Sequence, residues 1–133
     1  MFLLGRRDQV RKERGQSLTE FALILPVLVL LVMAILDFGR AVYAYSVVAN
    51  AAREGARFAA VSPNDSVGAV AATTAAAIGL EPSRLTVTFS RPDSSTVRVL
   101  VSYGFELITP LISNVVGSQG LTLRSSATMY VGY

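Results

Sequence analysis

From Phe21 to Leu36 the chain runs for 16 residues without a charge, "FALILPVLVLLVMAIL", and no other feature restricts the fold as tightly. As a helix this run measures about 24 Å, short of the ~30 Å hydrocarbon core of a bilayer. Starting instead at Gln16 gives 21 residues and roughly 32 Å, but draws Glu20 into the apolar layer. A cleaved secretory signal would need a small-residue site just after the run. Here the run leads into Asp37-Phe38, and the helical pattern continues through it. A buried helix of a soluble protein leaves the basic tail ahead of it unexplained. A membrane anchor accounts for both. Five basic residues lie between Arg6 and Arg14, whereas only Arg40 follows closely on the far side. The positive-inside rule therefore places the N-terminus in the cytoplasm and the remainder outside.

Charge elsewhere is even. The net +3 of the 133-residue chain arises within its first 15 residues, from five basic and two acidic side chains; beyond Gly15 there are seven of each sign. The high isoelectric point, near 9.7, thus describes a tail and not a nucleic-acid-binding face. With neither His nor Cys present, the commonest general bases, thiol nucleophiles and metal ligands are missing. The carboxylates are scattered, none at a calcium-loop spacing, and no glycine-rich phosphate loop follows a strand. The expectation is a non-enzyme without cofactor, metal, nucleic acid or small-molecule substrate.

Glu20 requires its own account. Ser17-Leu18-Thr19-Glu20 matches the S-x-x-E capping box, in which Ser17 would accept from a free helix N–H and Glu20 would reach back. An acid in a first turn also suits the helix dipole. Against a purely local role stands the cost of an ionised group in lipid, about 2.5–3.5 kcal/mol at mid-bilayer and less near the interface. Such groups usually have a partner.

Past the apolar run, only Gly39 and Gly55 interrupt helix-forming residues before Ala60, each tolerable at roughly 1 kcal/mol relative to alanine. Asp37 and Arg40 are three apart and can pair. Val48, Ala52, Gly55, Ala56 and Ala59 form a small-residue stripe, with Arg53, Glu54 and Arg57 facing away. The stripe suits close packing of the helix on a sheet of the same chain, ahead of a subunit contact. Pro26 removes one helix hydrogen bond and predicts local loosening. Residues 62–66 end the long helix. Val67 to Ile78 reads as a second helix with Gly79 as its C-terminal cap. Alternation of Leu85, Val87 and Phe89, then of Val97, Val99, Val101, Tyr103 and Phe105, around a turn at Arg91–Ser95, predicts a hairpin with one buried face. Thr109-Pro110 reads as an N-cap and first helical proline of a short helix reaching Val116 and Gly117. Leu121 to Val131 is the last strand, with Leu123, Ala127, Met129 and Val131 on one face. The expected architecture is α+β: a long N-terminal helix, membrane-embedded in its first half, packed on a small three-stranded antiparallel sheet.

The stretch "GQSLTEFALILPVLVLLVMAILDFGRAVYAYSVVANAAREGARFAA", Gly15 to Ala60, resembles the TadE-like pseudopilins of tight-adherence (Tad/Flp) pilus systems, which carry a class III signal of the type IV pilin kind. "VRVLVSYGFELITPLI" and "LTLRSSATMYV" resemble the C-terminal half of the same family. The resemblance implies that a prepilin peptidase cuts between Gly15 and Gln16, removing residues 1–15 as a basic leader. It implies that residues 16–40 remain as the transmembrane helix and residues 41–133 as an extracytoplasmic, pilin-like domain. Glu20, fifth after the glycine, then pairs with the new amine of a neighbouring subunit. An amine at Gln16 and a carboxylate at Glu20, each costly alone in lipid, would offset each other's penalty. The implied partners are the membrane, the peptidase, other pilin or pseudopilin subunits and the pilus assembly platform. The implied role is accessory, in a pilus serving surface attachment and biofilm formation. A signal-anchored extracytoplasmic binding module that is never cleaved or assembled remains the alternative.

Overall fold

The computed structural model describes residues 4–117 and 120–132; residues 1–3 of the expected leader lie outside them. The order of elements is α1 (Leu4–Val61), α2 (Ser66–Ala76), a 3-10 turn (Pro82–Arg84), β1 (Leu85–Asp93), β2 (Thr96–Phe105), α3 (Pro110–Val116) and β3 (Leu121–Tyr130). The chain divides into two compact units, one ending at Leu36 and the other beginning at Asp37.

The first unit is helix. Its apolar side chains stand in the open: Leu23 is 72% exposed and Val27 65%. Nothing among the described residues of this unit covers them, and α1 is long and apolar enough to cross a membrane. The helix continues across Pro26. It also starts well upstream of Ser17, which overturns the capping-box reading for the uncut chain. The Ser17 hydroxyl donates to the Arg14 carbonyl at 3.4 Å and does not receive a free N–H. A cap has no orphan donors to satisfy where a helix is already running.

The second unit is built on an antiparallel sheet with β2 in the centre, in the order β1-β2-β3. β1 pairs with β2 from Leu85↔Tyr103 to Asp93↔Thr96, and β2 with β3 from Thr96↔Tyr130 to Phe105↔Leu121. Because side chains alternate along a strand, Val97, Val99, Val101, Tyr103 and Phe105 all turn to one face, where all are buried. Ala44, Val48, Ala52 and Ala56 of α1 meet them, with Leu85, Val87, Phe89, Leu123, Ala127 and Met129 closing the sides. Ala59, Ala69 and Val97 form a second cluster where α2 joins. Each fully buried valine contributes about 1.5–3 kcal/mol relative to exposure. The small-residue stripe therefore packs within the chain, as its spacing predicts, while Arg53, Glu54 and Arg57 are exposed.

Several boundaries move. The hairpin turn tightens to Ser94–Ser95, because the Asp93 carboxylate accepts the Ser95 N–H and hydroxyl, both at 2.8 Å, an Asx-type turn. Pro92 is accommodated because β1 is an edge strand and its register is irregular between Ser90 and Asp93, where a missing N–H costs no ladder bond. Asp65, within the segment that ends the long helix, caps α2 by accepting the Gly68 N–H at 2.8 Å. α2 ends at Ala76 with Ala77 as its cap, two residues short of Ile78. Gly79 is thus not the helix cap. It takes φ +79° in the following turn, where the Leu80 N–H bonds to the Ala77 carbonyl and Leu80 packs on the core.

Candidate functional site

Gly15 and Gln16 share one turn of α1 and Glu20 lies on the next, all exposed. A residue and its fourth successor share a helix face, and Gln16 Nε2 donates to Glu20 Oε1 at 3.4 Å. The Thr19 hydroxyl donates to the Gly15 carbonyl at 2.9 Å. A Cβ added at Gly15 would meet nothing within 4 Å, so no contact within the chain requires glycine here. Among the described residues Glu20 makes no ion pair, and its side chain's one hydrogen-bond partner is the Gln16 amide. The segment thus presents an accessible Gly15–Gln16 bond and, one turn beyond it, a carboxylate free to take a cation from outside.

The second cluster centres on Asp37, the first residue after the apolar run. Its side chain is 2% exposed. Oδ2 accepts the Thr109 N–H at 2.7 Å, the Thr109 hydroxyl at 2.7 Å and the Ile108 N–H at 2.9 Å. Oδ1 accepts from Arg40 at 2.9 Å. An ionised carboxylate is acceptor-only and can serve several donors; this one meets four. Arg40, half-exposed, also lies with its guanidinium 5.1 Å from the centre of the Phe105 ring, a cation–π distance. Sequence spacing finds the Asp37–Arg40 pair but not the larger contact, since Thr109 is 72 residues away. Thr109 occupies the N-cap position of α3 with extended backbone, but makes no side-chain cap bond. Its hydroxyl is committed to Asp37, so the expected capping role is replaced by a tie between α1 and the β2–α3 loop. The one sequence signal is a charged residue at the end of an apolar helix, and the Arg40 pairing accounts for it locally.

Among the described residues no group of three or more His, Cys, Asp or Glu side chains could hold a metal ion.

Residues 15–57 match the model of the family described as TadE-like protein, the family that the sequence resembles. The matched segment opens on Gly15 and contains Gln16, Glu20, the apolar run, Asp37, Arg40 and most of the small-residue stripe. It ends before the sheet, so the likeness noted in the C-terminal half lies outside it. No curated protein and no solved structure matches the chain.

Proposed function

We propose that this chain, TadE-like over residues 15–57, is an accessory pseudopilin of a Tad/Flp-type adhesion pilus. A prepilin peptidase cuts it after Gly15, and it is then drawn into assembly through Glu20. The observation that carries the reading is that the family match begins at Gly15, with an unpaired carboxylate one turn past the cut and an exposed apolar helix beyond it. One N-terminal apolar helix fits a single-pass membrane anchor. The basic residues ahead of it orient the N-terminus to the cytoplasm and the α+β domain outside the cytoplasmic membrane. The role is structural, without catalytic residues, cofactor, nucleic acid or small-molecule substrate. The partners are the peptidase, other pilin or pseudopilin subunits and the assembly platform.

Glu20 then acts as a charge partner. Cutting at Gly15 creates an amine at Gln16, and bringing a neighbour's amine to the carboxylate neutralises two groups that lipid penalises separately. The deciding experiment is an intact-mass measurement after co-expression with the cognate peptidase. The reading expects loss of residues 1–15 and a mature N-terminus at Gln16, with Gly15→Leu blocking the cut. An unchanged mass in the presence of active peptidase returns the chain to a signal-anchored binding module.

A further inference from the structure

One surface of the second unit is apolar, uncharged and uncovered by any of the described residues. Ile108, Leu111 and Val115 are 61%, 58% and 87% exposed. Leu111 and Val115, four apart, lie along one side of α3, and Ile108 stands just ahead of its N-cap. No ionisable residue occurs between Glu106 and Arg124, an uncharged stretch around an exposed helix whose outer face in water would ordinarily carry charge. Leu107, by contrast, packs on the core, so the segment leading into α3 is anchored while Ile108, Leu111 and Val115 are left bare. Contiguous bare apolar surface marks an interaction site.

The hydrogen bonds of Asp37 say what covers it. They hold Ile108 N and Thr109 N within 2.9 Å of a carboxylate oxygen on the residue that follows Leu36. Leu36 is the last residue of the apolar run, so the beginning of α3 is tied to the point where the chain leaves lipid. The far end of the domain is the Ser94–Ser95 turn, a ten-residue strand away from Phe105, or about 33 Å. We propose that α3 lies in the membrane interface on the side where α1 emerges, with Leu111 and Val115 among the upper acyl chains. A lipid surface, and not a protein, is the occupant of this face. Asp37 is the positioning residue: it accepts the donors at the start of α3, of which the buried Thr109 N–H would otherwise be left unpaired, and those donors in turn shield its charge.

This inference rests on the membrane-anchor reading, and the test separates the two. The chain contains no Trp, so single-Trp variants of the full protein can be placed in phosphatidylcholine vesicles brominated either near the headgroup or near the chain ends. Leu28→Trp, within the apolar run, should be quenched most by the deep bromines. Leu111→Trp and Val115→Trp should be quenched most by the shallow ones, and Ser94→Trp by neither. Quenching at Leu28→Trp but not at positions 111 and 115 overturns the proposal and leaves the anchor intact. Blue-shifted emission at 111 and 115 without quenching assigns the face to a protein partner and also overturns it. No quenching at Leu28→Trp removes the anchor and the proposal together. Positions 111 and 115 are exposed, so the indole displaces no core side chain.

Discussion

Replacing Asp37 by alanine removes the acceptor for four donors at once, and the structure says which of them will be missed. Arg40 is half-exposed and returns to water, so its loss weighs little. The Ile108 N–H is part-buried and can find a water. The Thr109 N–H and hydroxyl are buried and have nowhere to turn. A buried donor stripped of its partner costs about 1–3 kcal/mol. Two such donors, less the relief of no longer burying a carboxylate, give a net loss of about 3 kcal/mol. For a domain of this size that lowers Tm by roughly 12–24 °C. The assay is thermal unfolding of the full chain in detergent micelles, followed by near-ultraviolet circular dichroism of the tyrosines, which lie beyond the apolar run. Asp37→Asn keeps one oxygen for the Thr109 donors but loses the charge, and should lie between, about 1–2 kcal/mol down. Thr109→Val in the Asp37→Ala background should cost less than in the parent, because the hydroxyl that it removes is already unpaired. An Asp37→Ala transition within about 4 °C of the parent would refute the tie between α1 and the β2–α3 loop.

Further outcomes follow from other contacts. A Cβ at Gly55 would run into the Thr73 hydroxyl and crowd Val99 Cγ1 at 3.3 Å. Gly55→Ala should therefore destabilise by about 1–3 kcal/mol through overpacking, despite a helix-propensity gain near 1 kcal/mol. Thr73→Ala should recover part of the loss, and a single variant as stable as the parent in denaturant titration would contradict the close approach of α1 and α2. Glu20→Gln should give a protein that is processed and membrane-resident but not assembled, since the cut precedes the amine it is meant to pair; wild-type crosslinking to pilus partners would remove the assembly role. The Ser95 hydroxyl, and then its N–H, hold the Asp93 carboxyl below its ordinary range. The support that Asp93 lends the turn is thus present above the unfolded value of about 3.9 and lost as pH falls through the lower folded value. Carboxyl-carbon NMR should show that low midpoint, with Ser95→Ala raising it only part of the way, since the Ser95 N–H and the Thr96 donors remain; a midpoint at or above the free value would exclude the Asx turn.

Patterns with short periods were legible without coordinates. The 3.6-residue stripe of Val48, Ala52, Gly55, Ala56 and Ala59 and the twofold alternation of Val97 to Phe105 each report a buried face. Together they determined an α+β fold with a long helix on a three-stranded sheet. The uncharged run likewise singled out Glu20, because a charge in an apolar segment is conspicuous wherever the chain folds, whereas Gly15 and Gln16 were marked by the resemblance to the TadE-like pseudopilins. Contacts between residues distant in sequence leave no such periodic trace. Thr109 carries an ordinary N-cap signature, and Asp37 has a satisfactory partner three residues away. Only the tertiary structure brings the β2–α3 loop to α1, where an oxygen already in reach of two backbone N–H groups takes the Thr109 hydroxyl as well. The same holds for Gly79. A glycine after a helix reads as its cap, but α2 ends at Ala76 and Gly79 serves the turn that leads to Leu80 on the core. Local propensity proposed these ends, and burial elsewhere in the chain, worth more than a single cap, moved them.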